Sequence, residues 1–322
     1  MVHGVVLGVD AGGTRTRALV LDLATGARGR ATTDGANWTV HGAPHCVARI
    51  REVAAMAYPG VRPDSVALCV AGYYPRDHAA EAGEAVRSLW PRAFAVVRPD
   101  IQGAWAGALD CEPGILAICG TGSIAFGRGR TGAEARAGGW GPLFGDTGSA
   151  YWVGLAALRY LAEAADGMAT DSDLAVRLPT ARPHGDAPNA RLREWLRGIY
   201  RLEWNRERIA GLASDVVASA RTGDAVAAGL LEQAGIAMGR LITAVEQRLG
   251  ESDLSATFTG GLAENSPEVT DAAARELARA GSTVRLQPPR RTAVEGAVLL
   301  AAEVLGGAEA QSRARALLDG GR

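Results

Sequence analysis

No lysine occurs in this 322-residue chain; all 34 of its Lys-or-Arg side chains are arginine. That absence excludes a P-loop nucleotide site, which needs a lysine after its second glycine. It also excludes pyridoxal and other Schiff-base enzymes, which need an amine nucleophile. Cysteine is scarce too. Cys46, Cys69, Cys111 and Cys119 form no CxxC pair, which suits small buried hydrophobes in a reducing compartment. The apolar run Val294–Leu305 carries acidic residues and falls short of the roughly 20 residues of a membrane span. The opening residues lack a basic, apolar and small-residue signal pattern, so the expectation is a cytoplasmic protein with no membrane partner. A net charge of −1 offers no excess of one sign to attract nucleic acid. The length fits about two domains.

Glycine is plentiful and falls in telling places. Gly4–Asp10 is an apolar β-branched run, broken at Ala11-Gly12-Gly13 and resumed over Thr16–Asp22. Strand, glycine turn and strand predict a hairpin. Its tip gathers Asp10, Thr14 and free backbone N–H groups, a concavity able to cradle phosphate oxygens beside a carboxylate able to hold hydrated Mg²⁺. A bare hairpin turn is the plain alternative. Gly114–Gly127 repeats the theme, with Gly120-Thr121-Gly122-Ser123 between two apolar runs. Two such hairpins a domain's length apart predict a duplicated fold.

Between them the pattern predicts a polar loop at Asp34–Asn37 and a helix near Ala43–Ala57. A strand at Ser65–Ala71 and a helix at Ala79–Leu89 follow, then a strand at Ala93–Arg98. Asp100 follows that strand, where open α/β sheets place chemistry. It either caps the helix Ile101–Leu109 or reacts, and one residue can do both. Asp110 reads as plain loop. His41 and His45 have helical metal-ligand spacing, but Pro44 between them and the lack of a nearby Glu argue against a metal. His3, His78 and His184 have no legible partner.

The stretch Ala137–Trp152, AGGWGPLFGDTGSAYW, is glycine-rich and aromatic with one carboxylate. It reads either as a connector into the next helix or as a wall for a polar ligand. Trp140 would offer a flat apolar face and Asp146 an acceptor for hydroxyls. A helix is expected from about Gly148, with Tyr151 and Trp152 as packing residues. An irregular Arg-rich region with Pro179, Pro183 and Pro188 follows, and Trp195 and Trp204 there read as packing. Two long helices are expected over Ile209–Leu249, then a strand at Ala256–Thr259 running into Gly260-Gly261. A helix at Asn265–Ala280, a strand at Thr283–Leu286 and a helix at Thr292–Leu305 follow, with a loosely held helical tail.

Six segments together carry a family resemblance: GVDAGGTRT (8–16), the Asn37 loop, PDIQGAW (99–105), GTGS (120–123), GGWGPLFGDTGSAYW (138–152) and FTGGLAENSP (258–267). The chain resembles the N-acetylglucosamine kinase branch of the BadF/BadG/BcrA/BcrD ATPase family, within the actin, Hsp70 and sugar-kinase superfamily. The resemblance implies an α/β fold of two RNase H-like, actin-like ATPase domains with a nucleotide-binding cleft between them. The expected domains are 1–110 and 111–305, the second with a helical insertion near 166–250. The tail at about 306–322 would pack back on the first. The implied reaction is ATP-dependent phosphorylation of an amino sugar, a small-molecule partner, with Mg²⁺. Gly12, Gly13, Thr14, Thr16, Gly120, Thr121, Gly122 and Ser123 would meet phosphates, and Gly260 and Gly261 would pass beneath the adenosine. Asp10 would hold Mg²⁺ through water, and Asp100 would be the general base on the sugar's 6-hydroxyl. Asn37, Asp100, Trp140, Gly141 and Asp146 would bind the sugar.

Many relatives have Glu where this chain has Thr147, which bears on substrate choice, and Trp38 follows Asn37 where relatives vary. An ATPase activator of an acyl-CoA dehydratase would need cluster cysteines, and the eight-residue spacing of Cys111 and Cys119 suits that poorly. A silent sugar-binding regulator is opposed by Asp10, Thr14, Asp100, Thr121, Gly260 and Gly261 all being in place. Surface tryptophans leave room for a homodimer.

Overall fold

The computed structural model describes residues 3–60, 62–169, 172–178, 193, 196–201 and 204–320. Pro179, Pro183, His184, Pro188 and Trp195 lie outside the described residues. The first apolar run forms β1 (Val5–Ala11), which turns at Gly12–Thr14 into antiparallel β2 (Arg15–Asp22). β3 (Arg28–Asp34) pairs antiparallel with β2, while β4 (Ser65–Val70) and β5 (Phe94–Pro99) continue in parallel beyond β1. The sheet order is β3-β2-β1-β4-β5.

The second half repeats this plan. β6 (Gly114–Cys119), β7 (Ser123–Arg128) and β8 (Glu134–Gly138) are successively antiparallel, and β9 (Ser255–Thr259) and β10 (Arg285–Leu286) extend the other side of β6 in parallel. The order β8-β7-β6-β9-β10 matches the first sheet strand for strand. The internal duplication expected from the two glycine hairpins is present in full.

The chain divides into two units, Met1–Glu112 with Pro289–Arg322, and Pro113–Pro288. The second unit thus stops at Pro288 rather than 305, and the whole helix Ala293–Asp319 belongs to the first. The reason is local. Gly8 at the centre of β1 lies so close to this helix that a Cβ there would stand 2.4 Å from the Val298 nitrogen. The Ser65 hydroxyl donates to the Ala301 carbonyl at 2.8 Å. The segment beyond Gly306 is not loose: Ala310, Gln311, Ala314 and Leu318 are buried, and Arg313 donates to the Leu23 carbonyl.

On the other face of the first sheet, Leu7, Val9, Ala18 and Val20 pack against Ile50, Val53 and Ala54 of the helix Trp38–Ala57. That helix begins five residues earlier than expected and kinks at Gly42 (φ 76°), two residues before Pro44.

In the second unit the helices are Ala150–Ala165, Leu174–Arg177, Arg206–Gly211, Ala213–Arg221, Ala225–Leu249, Gly261–Asn265 and Pro267–Arg279. Tyr151, Trp152 and Trp204 pack against its core. Among the described residues one helix, Ala225–Leu249, is by length and composition long and apolar enough to cross a membrane. Its Leu231, Ala234, Met238, Ile242 and Val245 are nevertheless fully buried in this unit's core, the helical spacing of a packed face.

Candidate active site

In the first unit the expected residues gather along the edge formed by the C-terminal ends of β1, β4 and β5. In-register pairing sets Asp10 beside Cys69 and Cys69 beside Arg98, so Asp10 and Asp100 end strands on either side of β4. Ala71 N–H bonds the Ala11 carbonyl and Trp38 N–H bonds the Ala71 carbonyl, which draws the Asn37 loop to the same edge. Gly35 lies against the hairpin tip, where a Cβ would sit 2.1 Å from the Gly13 carbonyl oxygen. Gly13 and Thr14 are exposed, with open space where a Gly13 side chain would be.

Asp10 is buried at 7% exposure, and Arg17, directly opposite on β2, donates to its Oδ2 at 3.1 Å. Burial raises the Asp10 pKa, and Arg17 only partly offsets this. The Asp100 pKa is also raised, to about 6, first by burial and then by the Asp10 charge. Its Oδ1 accepts the Ile101 N–H at 2.9 Å; the cap position of the helix Asp100–Ala108 is Pro99, so Asp100 is the first helical residue rather than the cap.

Thr16 departs from expectation. Successive strand side chains alternate faces, and Thr16 points with Ala18 and Val20 to the face opposite Arg17. It is fully buried with an unpartnered hydroxyl, so it does not reach the hairpin concavity. Asn37 caps its helix, Oδ1 accepting the Val40 N–H at 3.1 Å, while the Asn37 N–H donates to His41 Nδ1. The helix Pro75–Leu89 repeats the device, with Tyr74 N–H on His78 Nδ1. The His41 and His45 rings lie 4.7 Å apart, tilted by 41°, and no group of three or more metal-ligating side chains occurs among the described residues. Trp38 is buried, with its indole N–H on Glu81.

In the second unit the hairpin tip Gly120–Ser123 is laced to the 146–150 turn. Ala150 N–H bonds the Gly120 carbonyl, the Ser123 hydroxyl donates to the Thr147 carbonyl at 2.9 Å, and Cys119 Sγ donates to the Gly148 carbonyl. Thr147 thus contributes backbone, and its side chain is exposed. Gly260 must be glycine for an internal reason: at φ 101°, its Cβ would meet the Cys119 carbonyl at 2.7 Å. Gly261 has open space around it. Trp140 is 66% exposed, with the Arg136 guanidinium 5.1 Å from its ring centre, and the neighbouring Gly141 (φ 78°) is unobstructed.

Asp146 is not a free acceptor. It is 4% exposed, takes the Ser123 N–H on Oδ1 at 3.2 Å, and forms an ion pair through Oδ2 with Arg206. Nothing in the sequence singled out Arg206, which lies 60 residues away in an Arg-rich region. Asp110, expected to be loop, is held in an ion-pair cluster with Arg290, Arg291 and Arg315. Cys119 is fully buried, which does not suit a ligand for a surface iron–sulfur cluster.

Two sheets of identical order, each with a glycine hairpin on its first strand pair, define a duplicated α/β protein of the actin-like ATPase and sugar-kinase fold. A ROK family glucokinase from Streptomyces griseus, solved with glucose and AMPPNP, shares this fold: TM-score 0.54 at 17% identity, over 92% of this chain and 97% of that one. Family comparison is more specific. The pattern of the BadF/BadG/BcrA/BcrD ATPase family matches residues 7–301, and the chain belongs to that family.

An N-acetylmuramic acid/N-acetylglucosamine kinase of Clostridium acetobutylicum is 29% identical over 222 residues, 67% of this chain and 70% of that protein. An N-acetyl-D-glucosamine kinase of Dictyostelium discoideum is 30% identical over 51% of each chain. A candidate N-acetylglucosamine kinase from Chromobacterium violaceum superposes with TM-score 0.71 at 25% identity, over 92% of this chain and 99% of that one.

Proposed function

We propose that this chain is an ATP-dependent amino-sugar kinase acting on the 6-hydroxyl of N-acetylglucosamine or a close relative. The observation that carries this reading is Asp100. Its carboxylate stands at a strand's C-terminal end, on the sheet edge that also carries the glycine hairpin, and its pKa is raised to about 6. A base tuned near the working pH accepts a proton most effectively. Phosphoryl transfer leaves the protein mainly positioning and charge stabilisation. Asp100 orients the 6-hydroxyl and takes its proton as the O6–P bond forms and the bond from the γ-phosphorus to ADP breaks.

Gly12, Gly13 and Thr14 would meet phosphate oxygens, as would Gly120–Ser123, and Gly261 has open space suited to close approach by the adenosine. Asp10 fits a hydrated Mg²⁺: it is a buried carboxylate, and among the described residues only its Oδ2 is engaged, by Arg17. The ion would supply neutralisation of phosphate charge. On the sugar side, Asn37 would contribute the amide nitrogen its cap leaves over, Trp140 an exposed ring, Gly141 close backbone approach, and Asp146 an acceptor.

The relatives named for N-acetylglucosamine and N-acetylmuramic acid support an amino sugar as the acceptor. The test is an ATP-coupled screen over glucose, glucosamine, N-acetylglucosamine, N-acetylmannosamine and N-acetylmuramic acid, with Asp100→Asn beside the wild type. Turnover should appear on at least one amino sugar, and the variant should lose about 10²–10⁴-fold in kcat while still binding it. Absence of turnover on all five by folded wild type removes the reading, and a near-wild-type kcat in the variant removes Asp100 as base.

A further inference from the structure

We infer that Arg206 is a positioning residue of the sugar subsite, acting through Asp146; this rests on the kinase reading above. Asp146 adopts a left-handed backbone (φ 54°), which Asp tolerates when its side chain is held by local hydrogen bonds. A buried carboxylate also needs a compensating partner. Both demands converge on the hairpin tip. Ser123 N–H holds Oδ1 and Arg206 Nη2 holds Oδ2, so the carboxylate is fixed at two points and cannot rotate.

Gly122 leaves room for this arrangement: a Cβ there would lie 2.5 Å from Arg206 Nη2 and 3.2 Å from both carboxylate oxygens. Arg206 Nε is buried without a partner among the described residues. The guanidinium therefore keeps its grip on Asp146 at the cost of one unsatisfied donor, which an exposed surface pair would not incur. Each carboxylate oxygen has a second lone-pair direction. With one direction on each oxygen occupied from within the unit, the remaining two are aimed in a set orientation for sugar hydroxyls. The side chain that sets this geometry comes from the helix Arg206–Gly211, outside the glycine-rich segment.

The experiment is steady-state kinetics of Arg206→Met, Arg206→Lys, Asp146→Asn and the Arg206→Met/Asp146→Asn double variant. N-acetylglucosamine and ATP are varied separately, and sugar binding is measured by calorimetry. Arg206→Met should raise the sugar KM about tenfold or more, with kcat within about threefold and the ATP KM unchanged, the pattern of lost ground-state binding. Arg206→Lys should fall between it and wild type, because an ammonium keeps the charge but not the planar fork.

The double variant should be no worse than the poorer single, because the two residues act as one unit. A purely structural role would lower thermal stability and leave both KM values in place. An unchanged sugar KM in Arg206→Met overturns the inference, and a lower one shows Arg206 competing with sugar for Asp146. Should Arg206→Met fail to fold, an Arg206→Lys sugar KM equal to wild type overturns it. A sugar KM moved by Asp146→Asn but not by the Arg206 variants overturns this inference alone; no amino-sugar turnover in wild type overturns both readings.

Discussion

At Asp100 the fold keeps a carboxyl group protonated to higher pH than an unfolded chain would, because burial and the Asp10 charge both disfavour its ionised form. Between the ordinary value of 3.8 and about 6 the native state binds more protons than the unfolded one. This contribution to stability is therefore present below pH 3.8 and is lost as pH rises through about 6. Asp100→Asn should accordingly gain stability relative to wild type on going from pH 4.5 to 7.5, by about 1–3 kcal/mol, measured by denaturant unfolding at both pH values. In wild type the same group should place an acid limb near pH 6 in kcat/KM for the sugar. Asp100 was legible in the sequence because position after an apolar strand is a local property. Arg206 and the Asp110 cluster were not, because each depends on a pairing made by chain reversal, 60 residues apart in one case and 181 in the other.

The helix that starts at Asp100 is held by a close backbone crossing with the helix Ala293–Asp319. A Cβ at Gly296 would lie 2.1 Å from the Gly103 carbonyl oxygen and 2.2 Å from the Gly107 nitrogen, and one at Gly107 would lie 2.1 Å from the Thr292 carbonyl oxygen. Backbone meets backbone there, so an added methyl has no flexible side chain to displace. Gly296→Ala should cost about 1–3 kcal/mol and lower kcat, because the helix that carries Asp100 must move. Gly229→Ala is the control: it lies within the helix Ala225–Leu249 with open space at its Cβ, and should stabilise by about 0.5–1 kcal/mol. Thermal unfolding of both variants checks the contrast. Elements with apolar periodicity were readable, and β1, β2, β4 to β7 and β9 fall within a residue or two of expectation. The edge strands β3 and β8 were not, since RGRATTD and EARAG carry few apolar residues and owe their extended form to the neighbouring strand.

The repeated order of the two sheets means that each unit needs the same thing from sequence: a glycine hairpin, two parallel strands, and helices on both faces. The second unit finds all of this in one continuous stretch, Pro113–Pro288. The first does not, because the helix covering β1 and β4 on one face is Ala293–Asp319, separated from them by the entire second unit. Without that helix Gly8 and Ser65 lose their cover, and Glu295 no longer pairs with Arg30 of β3. Local pattern could not assign this helix to a unit, since an apolar stripe reports that a face is buried but not against what. The covering demand makes a definite prediction. A fragment of residues 113–288 should show cooperative thermal unfolding by circular dichroism, whereas residues 3–112 alone should not. Joining residues 289–320 to residues 3–112 through a flexible linker should restore a cooperative transition to the first unit. Cooperative unfolding of residues 3–112 alone would show that the returning helix is an addition to the first unit rather than half of its core.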